Sequence, residues 1–197
     1  MTSQRIPFVG ADVAPIDARV RAAAAGDRAA ARELLTALLP RARNLVRYLV
    51  RGDADVDDLA QDGLVAVLRG LSTFRGEAPF EAWADRVVAR ATFAGLRRDR
   101  RERSERVQAE PELRERDVPT TPDEYAERRR LVALLDALPL EQRHALVLHH
   151  VVGMSVPEVA EEANCPAETI RSRLRLGRTR LRELGLSGEG GDDDGVE

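Results

Sequence analysis

The chain has 197 residues, 43% hydrophobic and 33% charged, enough for one or two small domains with real cores. Its single cysteine, Cys165, excludes an internal disulfide, and no uncharged run approaches the length of a membrane span. The net charge of −3 would argue against a nucleic-acid partner if it were evenly spread, but it is not: acid gathers between Asp53 and Asp62 and after Arg182, and arginine gathers around 97–106 and 171–182. Local patches set phosphate affinity, so the mean charge does not decide.

Aromatic residues make up only 4% of the chain, β-branched runs are scarce, and Val, Leu and Ala recur at helical spacing. The expected fold is all-α: two small helical domains joined by a flexible linker, the C-terminal one a helix-turn-helix. All 31 basic residues are arginine, which reads first as a composition bias acting on the whole chain. No positively charged leader opens the sequence, so a soluble, cytoplasmic protein is expected.

Residues 1–16, with Pro7, Gly10 and Pro15, read as an irregular N-terminal arm. Helical pattern begins near Asp17, pauses at Gly26-Asp27 and resumes with Asp27 as N-cap. The stripe Leu34, Leu35, Leu38, Leu39, Leu45, Val46 and Leu49 should bend or break at Pro40. Asp55 with Asp58 predicts the cap of a helix running to Gly70, its inner face Leu59, Leu64, Val67 and Leu68. A loop punctuated by Gly76 and Pro79 leads into a long helix from Phe80 through Trp83, Val87 and Val88 to the run Arg97-Arg98-Asp99-Arg100-Arg101. The first domain is thus set at 17–103 and a polar linker with three prolines at 104–122. The second domain, 123–185, opens on the capping signal Thr121-Pro-Asp-Glu124 with a helix to Leu138. Pro139 starts another helix, ending near Gly153. The acidic, glycine-rich tail, which begins to lose base at Glu183 and is delimited at 186–197, reads as disordered.

Ser155 to Arg182 carries the most information. Ser155 with Glu158 forms a capping box, and Val156, Val159, Ala160 and Ala163 give a short helix one apolar face. Asn164-Cys165-Pro166 makes the turn, because Asn tolerates left-handed angles and Pro166 disfavours helix at Cys165. In the second helix, Ile170, Leu174, Gly177 and Leu181 share one side and should face the core, while Ser172, Arg175 and Thr179 point the opposite way. Arg171 and Arg178 flank that surface on one edge, Arg173 and Arg180 on the other. From Pro166 to Arg182 there are six arginines against one acid, Glu168. A central strip of short polar and arginine side chains for base edges, with arginines at the flanks for phosphates, is what a major-groove helix requires.

These residues resemble a known family. Asp55-Val-Asp-Asp-Leu-Ala-Gln-Asp62, Phe74-Arg-Gly and Phe80-Glu-Ala-Trp83 with Arg86 and the Arg97–Arg101 run are similar to region two of the extracytoplasmic-function (ECF) sigma factors of bacterial RNA polymerase. Leu138-Pro-Leu-Glu-Gln-Arg143, Gly153-Met-Ser155, Glu158-Val-Ala160 and Glu168-Thr-Ile-Arg-Ser-Arg-Leu174 are similar to their region four. The resemblance covers roughly residues 20–184 and keeps the order of the two regions. It implies a promoter-specificity subunit without enzymatic activity or cofactor, whose partners are core RNA polymerase, promoter DNA and a restraining anti-sigma factor.

By position, Asp58, Gln61 and Asp62 would contact core polymerase, where an acidic face complements a basic partner helix. Arg75, Trp83, Arg86, Arg90, Arg97 and Arg98 would bind the minus-ten element. Trp83, at helical spacing from Val87, reads first as core and second as a base-stacking platform. Thr169, Arg171, Ser172, Arg173, Arg175, Arg178 and Arg180 would read the minus-thirty-five element, and the remaining surface would hold the polymerase flap. The chain departs from the family at Ala91 and Gly95, where Asn and Asp are common, and at Gly177, where alanine would favour the helix by about 1 kcal/mol.

His144, His149, His150 and Cys165 lack the spacing of a metal site, so no metal is expected. A stand-alone helix-turn-helix regulator is the alternative function, and a protein-interaction module that sequesters a partner is a third.

Overall fold

The computed structural model describes residues 16–105 and 122–186, with side chains from 18 to 98 and from 125 to 185. The arm up to residue 15, the linker between 106 and 121, Thr121 of the capping signal, the side chains of Asp99-Arg100-Arg101 and the tail from 187 lie outside these limits.

Every regular element among the described residues is helical. The N-terminal half holds α1 (Ile16–Ala24), α2 (Arg28–Leu49), α3 (Val56–Gly70) and α4 (Phe80–Glu105). The C-terminal half holds α5 (Pro122–Asp136), α6 (Leu140–Leu146), α7 (Val156–Glu162) and α8 (Ala167–Leu181). Asp27 caps α2 as expected: its Oδ1 accepts from the amides of Ala29 at 2.8 Å and Ala30 at 3.1 Å. Asp55 holds the N-cap position of α3, but its side chain makes no capping hydrogen bond. Its placement there still sets negative charge, with Asp57 and Asp58, against the positive end of the helix.

Of two expectations about the N-terminal bundle, the structure removes one alternative from the first and overturns the second. Pro40 does not break α2, which runs on through it; the burial of Leu34, Leu38, Leu45, Val46 and Leu49 on both sides of the proline holds one continuous face to the core. Leu68 does not face inward. It is 40% exposed, because the buried strip of α3 follows Leu59, Leu64 and Val67 and then Leu71, one step round the helix.

Close approach of α3 and α4 rests on two glycines. A Cβ on Gly63 would stand 3.0 Å from Val88 Cγ1, and one on Gly95 would stand 2.6 Å from Leu59 Cδ2. Gly95 has no side chain to hold the helices apart, and the two meet there. Beside them, Asp85 of α4 is buried and takes a bidentate pair from Arg41 of α2, at 2.7 and 2.6 Å.

In the C-terminal half, α6 passes into a π-helical turn, Val147–Val151, closed by the Val152 amide on the Val147 carbonyl. The capping box of α7 is present: Ser155 N and Oγ both donate to Glu158 Oε2 at 2.7 Å, and Glu158 N donates to Ser155 Oγ at 3.4 Å. Asn164 takes φ +48° at the turn, as its sequence position predicts. A helical turn, Arg182–Leu186, continues past α8, so Glu183 belongs to it rather than to the tail.

The proline-rich composition of the linker suggests a loose tether, yet the two halves are docked. Arg143 of α6, 0% exposed, donates Nε to the Tyr48 carbonyl at 2.7 Å and Nη2 to the Arg47 carbonyl at 2.6 Å. His144 Nε2 lies 3.0 Å from the Leu49 carbonyl, and its ring meets Phe93 edge-on at 4.6 Å. These carbonyls end α2 and have no partners within the helix, so the second half caps the first. Asp136 of α5 completes the junction, receiving Arg47 at 2.6 Å and the Nη1 of Arg143.

Candidate nucleic-acid interface

The phase expected for α8 holds. Ile170, Leu174 and Gly177 are buried and Leu181 packs against the core, while Arg175 and Thr179 are exposed and Ser172 is half-buried. The glycine has a packing reason: a Cβ at 177 would stand 2.8 Å from Leu146 Cδ1, so α8 lies close against α6. Arg171 pairs with Glu168 one turn earlier at 2.9 Å. Arg173 is half-buried, its Nη1 3.5 Å from the sulfur of Cys165, which sits half-buried in the turn. Thr169, in the first turn of α8, is also half-buried. Arg175, Arg178 and Arg180 are exposed, and among the described residues no carboxylate bridges to them. The outer face of α8 is therefore a row of available guanidinium groups. Burial, followed by the charges of His149 and Arg178, pushes the pKa of the His150 imidazole below its ordinary value.

The N-terminal candidates are arranged differently. Phe74, Phe80 and Trp83 form one aromatic knot, with ring centroids 5.3 to 5.5 Å apart. Trp83 also covers Gly70, where a Cβ would stand 3.2 Å from its ring. Phe80 is buried and Trp83 half-buried, so the knot fixes the loop that carries the exposed Arg75. Of the arginines along α4, Arg90, Arg97 and Arg98 are exposed and Arg86 is half-buried. Arg86 donates to Glu158 Oε1 at 2.8 Å and to the Gly153 carbonyl at 2.9 Å. Arg97 donates to Glu162 Oε1 at 3.1 Å, and Arg98 to Asp62 Oδ2 at 3.3 Å. The Glu158 carboxyl is held below its usual range first by the Ser155 amide and hydroxyl, with the charges of Arg86 and Arg90 adding to the effect.

Asp58, Gln61 and Asp62 share the outer face of α3 with two apolar residues, Val65 at 43% exposure, which the sequence reading passed over, and Leu68 at 40%, which it placed on the inner face. The face thus combines carboxylates with an exposed apolar patch. The acids opposite Arg86 and Arg97 also escaped sequence reasoning, as did Arg41–Asp85 and the Arg47–Asp136–Arg143 cluster. Apart from Asp136 and Arg143, seven residues apart, these partners are separated by 44 to 96 residues and carry no periodic signal. Among the described residues no group of three His, Cys, Asp or Glu is placed to hold a metal ion, and no helix is long and apolar enough to cross a membrane.

The sequence matches two protein families in the expected order, Sigma-70 region 2 over residues 34–102 and Sigma-70, region 4 over residues 128–181. The ECF RNA polymerase sigma factor SigM of Mycobacterium tuberculosis is 32% identical over 172 residues, spanning 85% of this chain and 84% of that protein. The ECF RNA polymerase sigma-E factor of Haemophilus influenzae is 30% identical over 140 residues, 66% of this chain and 73% of its own length. Among solved structures, CnrH in complex with the cytosolic domain of CnrY aligns with a TM-score of 0.50 at 25% identity, covering 85% of this chain and 94% of that one. The sigma factor RpoE of Bartonella quintana, in complex with the anti-sigma factor NepR, shares the fold with a TM-score of 0.53 at 22% identity, over 80% and 98% of the two chains. With regions 2 and 4 in order and full-length relatives of one kind, the chain belongs to the ECF RNA polymerase sigma factors.

Proposed function

We propose that this promoter-specificity subunit reads the minus-thirty-five element with the outer face of α8. In this reading Arg175 and Ser172 meet base edges, with Thr169 and Arg171 at the entering end of the helix, and Arg173, Arg178 and Arg180 neutralise phosphates. The observation that carries it is the row of exposed arginines, Arg175, Arg178 and Arg180, to which no carboxylate bridges among the described residues, on a helix whose opposite face is locked into the core by Ile170, Leu174 and Gly177. A guanidinium that is already paired must give up that partner to bind DNA; among the described residues Arg175, Arg178 and Arg180 have no carboxylate to give up.

The minus-ten element is assigned to Arg75, Arg86, Arg90, Arg97 and Arg98, with Trp83 acting through the aromatic knot that shapes the loop. Core polymerase is assigned to Asp58, Gln61 and Asp62, and the exposed Val65 and Leu68 beside them supply the apolar burial that carboxylates alone do not. The two structural relatives are complexes with the CnrY domain and with the anti-sigma factor NepR, and an anti-sigma factor is the restraining partner assigned here. A stand-alone regulator would leave the α3 face and the whole of region 2 without a role. The coarser conclusion, a non-catalytic subunit, follows from the family; its work is in the cytoplasm, where polymerase acts.

Run-off transcription from a library of upstream regions tests the reading. Specific transcripts should appear only with core polymerase present, and the chain alone should bind promoter duplex weakly. Tight operator binding by the chain alone, with no transcript from any template, would refute it.

A further inference from the structure

Leu176 is an apolar side chain on a part of α8 that is otherwise polar and basic. It is 46% exposed, more than any other large apolar residue among the described ones. Single exposed leucines are common on protein surfaces and need no partner of their own. The place of this one on the helix sets it apart.

The inner face of α8 is fixed by the buried Ile170, Leu174 and Gly177. At about 100° per residue, Ser172 and Thr179 point almost straight away from that face. Arg175 lies about 50° to one side of the line through them, and Leu176 lies about 50° to the other. Leu176 is therefore as central to the outer face as Arg175, while Arg173 and Arg180 stand further round toward the core. Ser172 and Thr179 are short, so Arg175 and Leu176 are the two side chains that reach furthest from the middle of the face. Leu184, at 44% exposure, stands about 12 Å further along the helix axis, so the two leucines do not make one continuous apolar patch.

An apolar side chain in the middle of a face that reads duplex DNA has one counterpart. Donors and acceptors line the base edges of the major groove, and the apolar group found there is the C5 methyl of thymine. Against any other base edge, the isobutyl group of Leu176 would displace water from a donor or acceptor and leave it without a partner. The same side chain thus gains from a methyl and penalises a polar edge. We propose that Leu176 is a specificity-determining residue that reads the methyl group of a thymine in the minus-thirty-five element, beside the base pair met by Arg175. The proposal rests on the assignment of the outer face of α8 to that element. The two neighbours divide the work: Arg175 offers hydrogen bonds to an acceptor edge, and Leu176 takes an apolar contact that no arginine on the helix provides.

Holoenzyme assembled from the full chain and core polymerase tests this on a promoter duplex that yields a run-off transcript. Each minus-thirty-five thymine is replaced in turn by deoxyuridine, which lacks only the C5 methyl, and affinity is read by fluorescence anisotropy. We expect one position at which the unsubstituted chain loses about fourfold in affinity, the effect of returning one methyl group to water. At that position Leu176→Ala should bind thymine and deoxyuridine alike, whereas Leu176→Met, which keeps an apolar side chain of similar reach, should still respond to the methyl. The methyl contact is overturned if deoxyuridine costs nothing at any position, or costs Leu176→Ala as much as it costs the unsubstituted chain. In that event, discrimination that Arg175→Ala still relaxes leaves the assignment of α8 standing, and discrimination that Arg175→Ala leaves untouched overturns that assignment too. A Leu176→Ala chain that keeps the full deoxyuridine response but no longer co-purifies with core polymerase overturns the proposal in favour of a protein-docking leucine.

Discussion

Gly177→Ala decides whether the recognition helix is held by packing or by its own propensity. Propensity alone favours alanine by about 0.8–1 kcal/mol in a helix interior. The structure opposes it, because the new Cβ would stand 2.8 Å from Leu146 Cδ1, 3.2 Å from Leu146 Cγ and 3.4 Å from Gln142 Cβ. Carbon atoms pack best at about 3.5–4.0 Å, so the first two contacts are repulsive. Leu146 is itself buried and cannot swing into solvent to make room. Overpacking of this kind costs about 1–3 kcal/mol, which outweighs the gain in propensity and leaves a net loss of about 1 kcal/mol. Thermal unfolding followed by circular dichroism should show the midpoint falling by about 2–4 °C for each kcal/mol lost. Combining Gly177→Ala with Leu146→Val should cost less than the sum of the two single changes, since the shorter side chain removes the clash. A midpoint that rises for Gly177→Ala, with additive behaviour in the pair, would refute the packing account and make this glycine an ordinary weak point in the helix.

Within the recognition face, Arg175→Ala should relax discrimination at one or two base pairs of the minus-thirty-five element by about 1–3 kcal/mol, read from binding to a set of single-site promoter variants. Arg178→Ala should weaken all sequences alike and lower the slope of log affinity against log salt by about one unit; identical behaviour of the two would mean the helix phase is wrong. Asp62→Lys, alone or together with Gln61→Lys, should abolish co-purification with core polymerase while leaving the helical content unchanged. At the domain junction, burial alone would raise the Asp136 carboxyl pKa, but the hydrogen bonds and charges of Arg47 and Arg143 prevail and hold it below its ordinary value. Its contribution to docking is therefore present above that ordinary value and lost as pH falls through the lowered one. Asp85 runs the other way: burial raises its pKa in spite of Arg41, so its contribution is fullest at low pH and declines as pH rises through the raised value. Carboxyl-carbon NMR titration should place the Asp136 midpoint below, and that of Asp85 above, an unstructured aspartate.

What the sequence conveyed was local. Asp27, the Ser155–Glu158 box, Asn164 and the Ile170-Leu174-Gly177 side of α8 each act within one or two helical turns, and periodicity and capping chemistry read at that range. The failures were also local in origin but long-range in cause. Leu68 falls outside the buried strip because α3 hands its packing to Leu71 in the following turn. The meaning of Gly95 needed Leu59, 36 residues away, to become visible as a close helix approach rather than a missing polar contact. Arg86 and Arg97 were legible as cations, and the carboxylates that meet them were not, because nothing in a single helix says which other helix it will face.

The magnitudes indicate which contacts hold the docked form. Arg98–Asp62 joins a residue assigned to DNA with one assigned to polymerase, but both side chains are more than half exposed, at 63% and 58%. Exposed pairs of this sort contribute about 0–1 kcal/mol, so this one neither holds the fold nor restrains either site. Arg143 is the opposite case. It is wholly buried, and it satisfies two terminal carbonyls of α2 and a carboxylate at once, while His144 takes a third carbonyl. Removing Arg143 from a closed junction would leave those groups without partners, at about 1–3 kcal/mol for each one kept from water. Separating the halves instead lets water reach every one of them. The junction therefore draws its specificity from groups that are costly to orphan yet easily rehydrated.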